Sequence, residues 1–228
     1  MRLTTNFLLG TCALGLALGC APSNPGLVAE GVLTLDEMCT VTATNALLAQ
    51  GTLDVSTGAP ATLRPNGITY TIAVRVGNQL INNGNRIYPL MADPDRIIID
   101  HMEVTLLDSS EATVGLAGLP NPFLVPADGA VASTASMDPT LGIAAATVIP
   151  DSYGQALGAA FPAGGPILVR VRVIGTTAGG ATLTSGPVLF PINLCVGCLF
   201  QCAVDAMGAP INAPSCLPGQ DGLSLYGC

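Results

Sequence analysis

The stretch ITYTIAVRV, residues 68–76, has the clearest strand pattern in the chain. Its large apolar side chains alternate with threonine, alanine or arginine over the whole stretch. Successive side chains of a β-strand point to opposite faces, so this alternation predicts a strand with one buried face. The residues predicted to face the core are Ile68, Tyr70, Ile72, Val74 and Val76.

Three more stretches extend the pattern. The stretch ILVRVRVIG, residues 167–175, alternates in the same way. The stretch RIIIDHMEVTLL, residues 96–107, is also expected to be a strand. Its inward-pointing residues would be Met102, Val104 and Leu106, and its outward-pointing residues His101, Glu103 and Thr105. PVLFPINLC, residues 187–195, is expected to return as a final strand, in which Pro191 indicates a sheet edge or a bulge.

Weaker segments complete an all-β prediction. Short strands are expected at residues 31–35, 39–44, 52–55, 113–117, 123–126, 130–133 and 145–149, with one short helix at residues 152–160. The absence of a long amphipathic helix disfavours a parallel βαβ sheet. This spacing of strands resembles the antiparallel β-sandwich of immunoglobulin and fibronectin type III domains, with a jelly roll as the alternative. Because the chain has no Trp, the immunoglobulin Cys–Trp–Cys core is missing.

Composition restricts the partners. The chain is 50% hydrophobic, 10% charged and rich in Gly and Pro, which suits a folded β domain with many turns. Its formal net charge is −8, and all seven basic residues are Arg. An acidic surface without basic clusters argues against a nucleic-acid partner.

The N-terminal segment predicts export. Residues 1–19 combine Arg2, a short apolar run and small residues at the end, as a secretory signal peptide does. The residues from Ala17 to Cys20 resemble the lipobox of bacterial lipoproteins, although that family prefers Leu at the position of Ala17. The resemblance implies acylation of Cys20, and Ala21 after it implies the outer membrane, on its periplasmic or exterior side. The acyl chains on Cys20 would then bind the protein to the membrane.

Four regions follow from these features: a signal peptide at residues 1–19, a lipidated tether at 20–29, a β-sandwich at 30–194 and a Cys-rich C-terminal extension at 195–228. The whole pattern resembles uncharacterised secreted lipoproteins of high-GC Gram-negative bacteria. That likeness implies no particular activity.

The cysteines predict disulfides. Six remain outside the leader and the lipidation site, an even number that suits an oxidising compartment: Cys39, Cys195, Cys198, Cys202, Cys216 and Cys228. Cys39 has no neighbouring cysteine, so full pairing within the chain requires it to bond to one of the other five. Even the shortest such loop is long enough to stabilise the fold by roughly 5 kcal/mol.

Metal binding and redox chemistry are alternative hypotheses for the cysteines. Cys195, Cys198, Cys202 and Cys216 offer four thiolates for zinc. The Cys195–Cys198 spacing also suits a redox dithiol, but no Arg lies nearby in sequence to favour a thiolate. Asp93, Asp95 and Asp100 offer oxygen ligands for calcium, or form a polar turn before a strand.

No sequence motif supports catalysis. His101 is the only histidine, and its neighbour Asp100 is expected on the opposite face of a strand, where it cannot orient the imidazole. We therefore predict no catalytic residue and no cofactor. The expected function is that of an outer-membrane lipoprotein acting as a structural or protein-interaction module. The alternatives are a periplasmic or cell-surface metal-binding protein and, less favoured, an enzyme or enzyme-inhibitor domain.

Overall fold

The structure, a computed structural model, is mostly β. It describes residues 26–36, 38–57, 66–81, 93–136, 138–202, 207, 209, 216–217, 219–221 and 224–226. The strands and helix are β1 (Leu27–Val32), β2 (Gly51–Asp54), β3 (Tyr70–Asn78), β4 (Ile97–Leu107), β5 (Phe123–Pro126), β6 (Ala130–Val131), β7 (Thr140–Ile149), α1 (Asp151–Ala160), β8 (Gly165–Thr177), β9 (Thr182–Thr184), β10 (Val188–Cys195), β11 (Phe200–Cys202) and β12 (Ser224–Tyr226). Within these ranges no helix has the length and apolar character needed to cross a membrane.

Two main sheets share one hydrophobic core. The smaller has the strand order β1-β3-β7. The larger has the order β2-β10-β8-β4-β5, with β6 beside β4 and β9 beside β8. Buried residues of both sheets belong to a single apolar cluster. The pair β11 and β12 forms a separate two-stranded sheet in the C-terminal extension.

The alternating stretches form the central strands. On β3, Tyr70, Ile72, Val74 and Val76 are buried, and Ile68 is buried just before the strand begins. On β8, one of the two alternating sets, Ile167, Val169, Val171 and Val173, is fully buried, as are Met102, Val104 and Leu106 on β4. The buried faces that alternation indicates are therefore confirmed in all three strands.

Thr105 departs from the prediction for β4. It was expected to face outward, yet it is 2% exposed. Its hydroxyl oxygen accepts a hydrogen bond from the Arg170 guanidinium of β8 at 3.4 Å. The long Arg170 side chain thus covers a polar residue that alternation alone places in solvent.

The prediction that the strands run antiparallel is correct around β8 but not for β2. The neighbours of β8 are antiparallel, as expected, but β2 runs parallel to β10. The chain leaves the smaller sheet after β1 and enters the edge of the larger one, so no hairpin fixes the direction of β2. Pro191 lies before the segment of β10 that pairs with β2, where its missing N–H removes no ladder bond on that side.

Several boundaries also change. β1 begins at Leu27, so the last three residues of the predicted tether pair with β3. Residues 39–44 form no strand. The Asp36 carboxylate accepts the N–H groups of Met38 and Thr40, and a second turn follows in which Asn45 N–H donates to the Thr42 carbonyl. The segment 113–117 makes only a single bridge, from Thr113 to Leu107.

Candidate functional site

The end of β10 lies beside the end of β2. In the parallel pairing of these strands, Cys195 is the register partner of Asp54. The backbone then turns through Val196 and Gly197, whose φ of +72° suits glycine. Cys198 closes the turn through a disulfide to Cys195. The CVGC turn, residues 195–198, therefore sits directly above Asp54.

Asp54 holds this turn by its carboxylate. Oδ1 accepts the N–H of Gly197 at 3.0 Å and that of Ser56 at 2.9 Å, while Oδ2 accepts the N–H of Leu199 at 2.9 Å. The residue is fully buried. Burial alone would raise the pKa of this carboxyl, but the donors of Leu199, Ser56 and Gly197 together hold the pKa below its usual range.

Asp54, Cys195 and Cys198 form a potential metal-ligand trio. One carboxylate oxygen and the two sulfurs lie within 4.8 Å of one another, and in the described part of the chain this is the one such group of three. Cys195 is half-buried and Cys198 is exposed. The predicted site of four thiolates has to be corrected, because Cys216 is bonded to Cys39. The side chain of Cys202 and the whole of Cys228 lie outside the described residues.

The disulfide Cys39–Cys216 ties the C-terminal extension to the loop after β1. Its Cα atoms are 5.3 Å apart, and the two residues are separated by 177 positions in sequence. The prediction that Cys39 pairs with one of the last five cysteines is thereby confirmed. Cys39 has a φ of +61°, in a turn held by the Asp36 carboxylate.

Gln220 and Asp221 dock the same extension onto the sheets. The backbone of residues 219–221 runs along β2, with Asp54 N–H donating to the Gly219 carbonyl and Asp221 N–H donating to the Thr52 carbonyl, both at 2.9 Å. The Gln220 amide oxygen accepts the N–H of Thr71 at 2.7 Å, and its amide nitrogen donates to the Thr71 carbonyl. The exposed edge of β2 is thus covered by the chain's own C-terminal segment.

The carboxylate of Asp221 reaches the buried hydroxyl of Tyr70. Asp221 also accepts the N–H of Thr52 at 2.6 Å. Although Asp221 is exposed as a whole residue, withdrawal of its carboxylate from water raises its pKa. Burial, together with the negative charge of Asp221, raises the pKa of Tyr70, so the phenol stays protonated and donates.

An apolar cleft lies beside this docked segment. It has a volume of about 520 Å³ and is enclosed by the loop after β1, the smaller sheet and the C-terminal extension. The loop and the smaller sheet both contribute apolar side chains to its wall, and Gln220 and Asp221 are among its polar lining residues. The apolar lining includes Leu33, Leu35, Val41, Leu48, Ala73, Ala145 and Leu217.

The remaining residues that the sequence suggested as site residues do not lie together in a site within the described part of the chain. Among the described residues, Asp93, Asp95 and Asp100 form no metal-ligand trio. Asp93 instead accepts the N–H of Ser133 at 2.9 Å, and Asp100 accepts the hydroxyl of Thr176 at 2.7 Å. His101 is exposed on β4. Residues 1–25, with the lipobox and Cys20, lie outside the described part of the chain.

Sequence reasoning missed Asp54 and Asp221. Asp54 ends a short strand whose parallel partner comes more than a hundred residues later, and Asp221 belongs to a segment without periodicity. The proximity of Asp54 to Cys195 depends on strand register, for which the local sequence carries no signal.

No protein-family model matches the sequence, and no curated protein matches it significantly.

Proposed function

We propose that this chain is an outer-membrane lipoprotein, anchored through Cys20, that serves as a structural or protein-interaction module on the periplasmic or exterior side. Its scaffold would be an immunoglobulin-like β-sandwich with a disulfide-stapled C-terminal extension. The proposal includes no enzymatic activity and no nucleic-acid partner.

Two features support a location outside the cytoplasm. The fold contains the disulfides Cys39–Cys216 and Cys195–Cys198, and disulfides of this structural kind persist in oxidising compartments. The lipobox resemblance at Ala17–Cys20 supplies the anchor. Because β1 begins at Leu27, the seven residues from Cys20 to Gly26 reach at most about 25 Å, and the domain would stay close to the bilayer.

The observation that carries the interaction role is the apolar cleft. Its rim includes Leu35, which is 39% exposed, and the same loop presents Met38 at 82% and Leu47 at 45% exposure. Exposed apolar side chains on a loop that lines such a cleft are typical of protein contacts. The Cys39–Cys216 disulfide and the docking of Gln220 hold both walls of the cleft in place.

Anchoring is tested by replacing Cys20. In cells that express the full chain, Cys20→Ser should abolish incorporation of labelled palmitate and release the protein from the membrane fraction. Cys12→Ser, in the same leader, is the matched control and should leave both unchanged. Membrane association that survives Cys20→Ser would refute the lipid anchor.

The interaction role is tested by placing a charge in the cleft. Leu35→Glu should abolish cross-linking to a partner in intact envelopes, because a carboxylate would be desolvated at the contact. Leu124→Glu places the same charge on exposed β5, in the other sheet, and should leave the cross-link intact. Equal cross-linking by both variants would exclude the cleft as the contact surface.

A further inference from the structure

We infer that Asp54, Cys195 and Cys198 form a binding site for a thiophilic divalent cation, Zn²⁺ above all, which opens when the Cys195–Cys198 disulfide is reduced. This inference does not depend on the lipid anchor or on the apolar cleft.

Strand pairing fixes two of the three ligands. Asp54 and Cys195 are register partners on adjacent parallel strands, and partners in a parallel pair point to the same face of the sheet. The turn through Gly197 brings Cys198 back over the same point. As a result the three ligand atoms lie within 4.8 Å of one another. In a tetrahedral zinc site, normal Zn–S and Zn–O bond lengths place the ligand atoms about 3.5–3.8 Å from one another, a separation that lies within this limit.

The Asp54 carboxylate preserves this arrangement without the disulfide. Its hydrogen bonds from Gly197 and Leu199 hold the turn through backbone N–H groups, which do not change when the sulfurs separate. Val55 N–H also donates to the Cys195 carbonyl at 2.8 Å. Reduction therefore leaves two thiols beside the Asp54 carboxylate, in a turn whose backbone is still held by these hydrogen bonds.

The ligand set selects the metal. Two thiolates and one carboxylate suit zinc, whereas calcium and magnesium prefer oxygen ligands alone. Three protein ligands leave the fourth tetrahedral position to water or an external ligand. Because Cys198 is exposed, a cation reaches the site without any opening of the core.

The chemical step balances with a dithiol as the reductant. The dithiol supplies two electrons and two protons, which break the Cys195–Cys198 bond and give two thiols, while the dithiol becomes a disulfide. Zn²⁺ then displaces the two thiol protons and binds two thiolates together with the Asp54 carboxylate. Release of the metal returns two protons to the thiolates, and transfer of two electrons and two protons to another disulfide, which becomes a dithiol, restores the Cys195–Cys198 bond.

The test uses the full chain, reduced with a phosphine that is then removed under nitrogen. Titration with Co²⁺ should produce a thiolate-to-cobalt charge-transfer band that saturates at one metal per chain, and Zn²⁺ should bleach it. The oxidised protein should produce no band. A band of equal strength in oxidised protein would overturn the redox gate.

Variants locate the site. Cys198→Ser should abolish the band, whereas the double variant Cys39→Ser, Cys216→Ser should retain it. Asp54→Asn keeps one of the two acceptor oxygens of the side chain and should weaken Zn²⁺ affinity at least about 10-fold. Asp138→Asn is the exposed control and should bind as the unaltered chain does.

Two results would contradict the assignment. A band that survives Cys198→Ser would place the metal on other thiols. Unchanged affinity in Asp54→Asn, with circular dichroism showing the native fold, would remove the carboxylate from the ligand set. Circular dichroism of Cys198→Ser separates loss of binding from loss of folding, since Cys198 is exposed.

Discussion

The hydroxyl of Tyr70 donates to both carboxylate oxygens of Asp221, at 2.8 and 2.7 Å, although the two residues are 151 positions apart. Tyr70 is the first residue of β3 and is fully buried, with its ring tilted against Phe190 of β10. Asp221 also accepts the N–H of Thr52 on β2. One carboxylate therefore links the C-terminal extension to strands of both sheets.

Removal of the phenolic hydroxyl should loosen this link. Tyr70→Phe is expected to lower the free energy of unfolding by about 1–3 kcal/mol, because the Asp221 carboxylate keeps its position but loses a donor. Urea unfolding of the disulfide-intact protein, followed by circular dichroism, measures the change. In a double-mutant cycle with Asp221→Asn, we expect a coupling energy of at least about 0.5 kcal/mol. Additive effects of the two substitutions would contradict a direct interaction.

The same carboxylate should give stability a characteristic pH dependence. Desolvation raises the pKa of Asp221 above its ordinary value of 3.8, so between the two values the native state binds more protons than the unfolded state. Its contribution to the free energy of unfolding is thus fully present below the unfolded-state pKa and is lost as pH rises through the folded-state pKa. Unfolding measured at several pH values should show this decline in the unaltered chain relative to Asp221→Asn.

Asp108 offers a control of opposite sign. Hydrogen bonds from Ser110 and the N–H of Ala112 lower the pKa of this exposed carboxyl. Its stabilising contribution is present above the unfolded-state pKa and is lost as pH falls through the folded-state pKa. The difference between the unaltered chain and Asp108→Asn should therefore grow as pH rises. A parallel trend in the two Asp→Asn comparisons would contradict the raised pKa of Asp221.

Gly51 leaves the space that the Tyr70 hydroxyl occupies. A Cβ at this position of β2 would overlap the Tyr70 hydroxyl and approach Phe190 Cε1 to 3.0 Å. Gly51→Ala should lower the free energy of unfolding by about 1–3 kcal/mol, because a well-packed core has to shift. Gly186→Ala is the control, since a Cβ there meets open space, and we expect a change within about 0.5 kcal/mol. Equal effects in urea unfolding would contradict the close approach of Tyr70 to β2.

The two disulfides should contribute unequally to stability. Cys39–Cys216 closes a separation of 177 residues and Cys195–Cys198 one of only three. In the chain-entropy model, loops of these sizes stabilise by about 5 and about 2 kcal/mol respectively. Thermal unfolding of the two paired Cys→Ser variants should therefore show the larger fall in Tm for Cys39 and Cys216. Peptide mapping under non-reducing conditions checks both pairings, and a Cys39 peptide joined to any cysteine other than Cys216 would refute the first.

Local pattern was sufficient for the main strands. Period-two alternation located β3 and β8 and their buried faces. It failed where a polar side chain supplied the decisive contact. The Asp36 carboxylate holds the N–H groups of Met38 and Thr40 in a turn, and Arg170 donates to the hydroxyl of Thr105. Hydrogen bonds of this kind override a weak strand propensity.

The sequence by itself determined that Cys39, if all six cysteines pair within the chain, bonds to a distant partner, since that follows from the positions of the cysteines. It also determined which faces of the long strands are apolar, because alternation is a local property of the pleated backbone. Only the tertiary structure decided that the partner is Cys216 and that Asp54 lies beside Cys195. Those contacts depend on the register and direction of strands far apart in the chain, which the packing of both sheets fixes together.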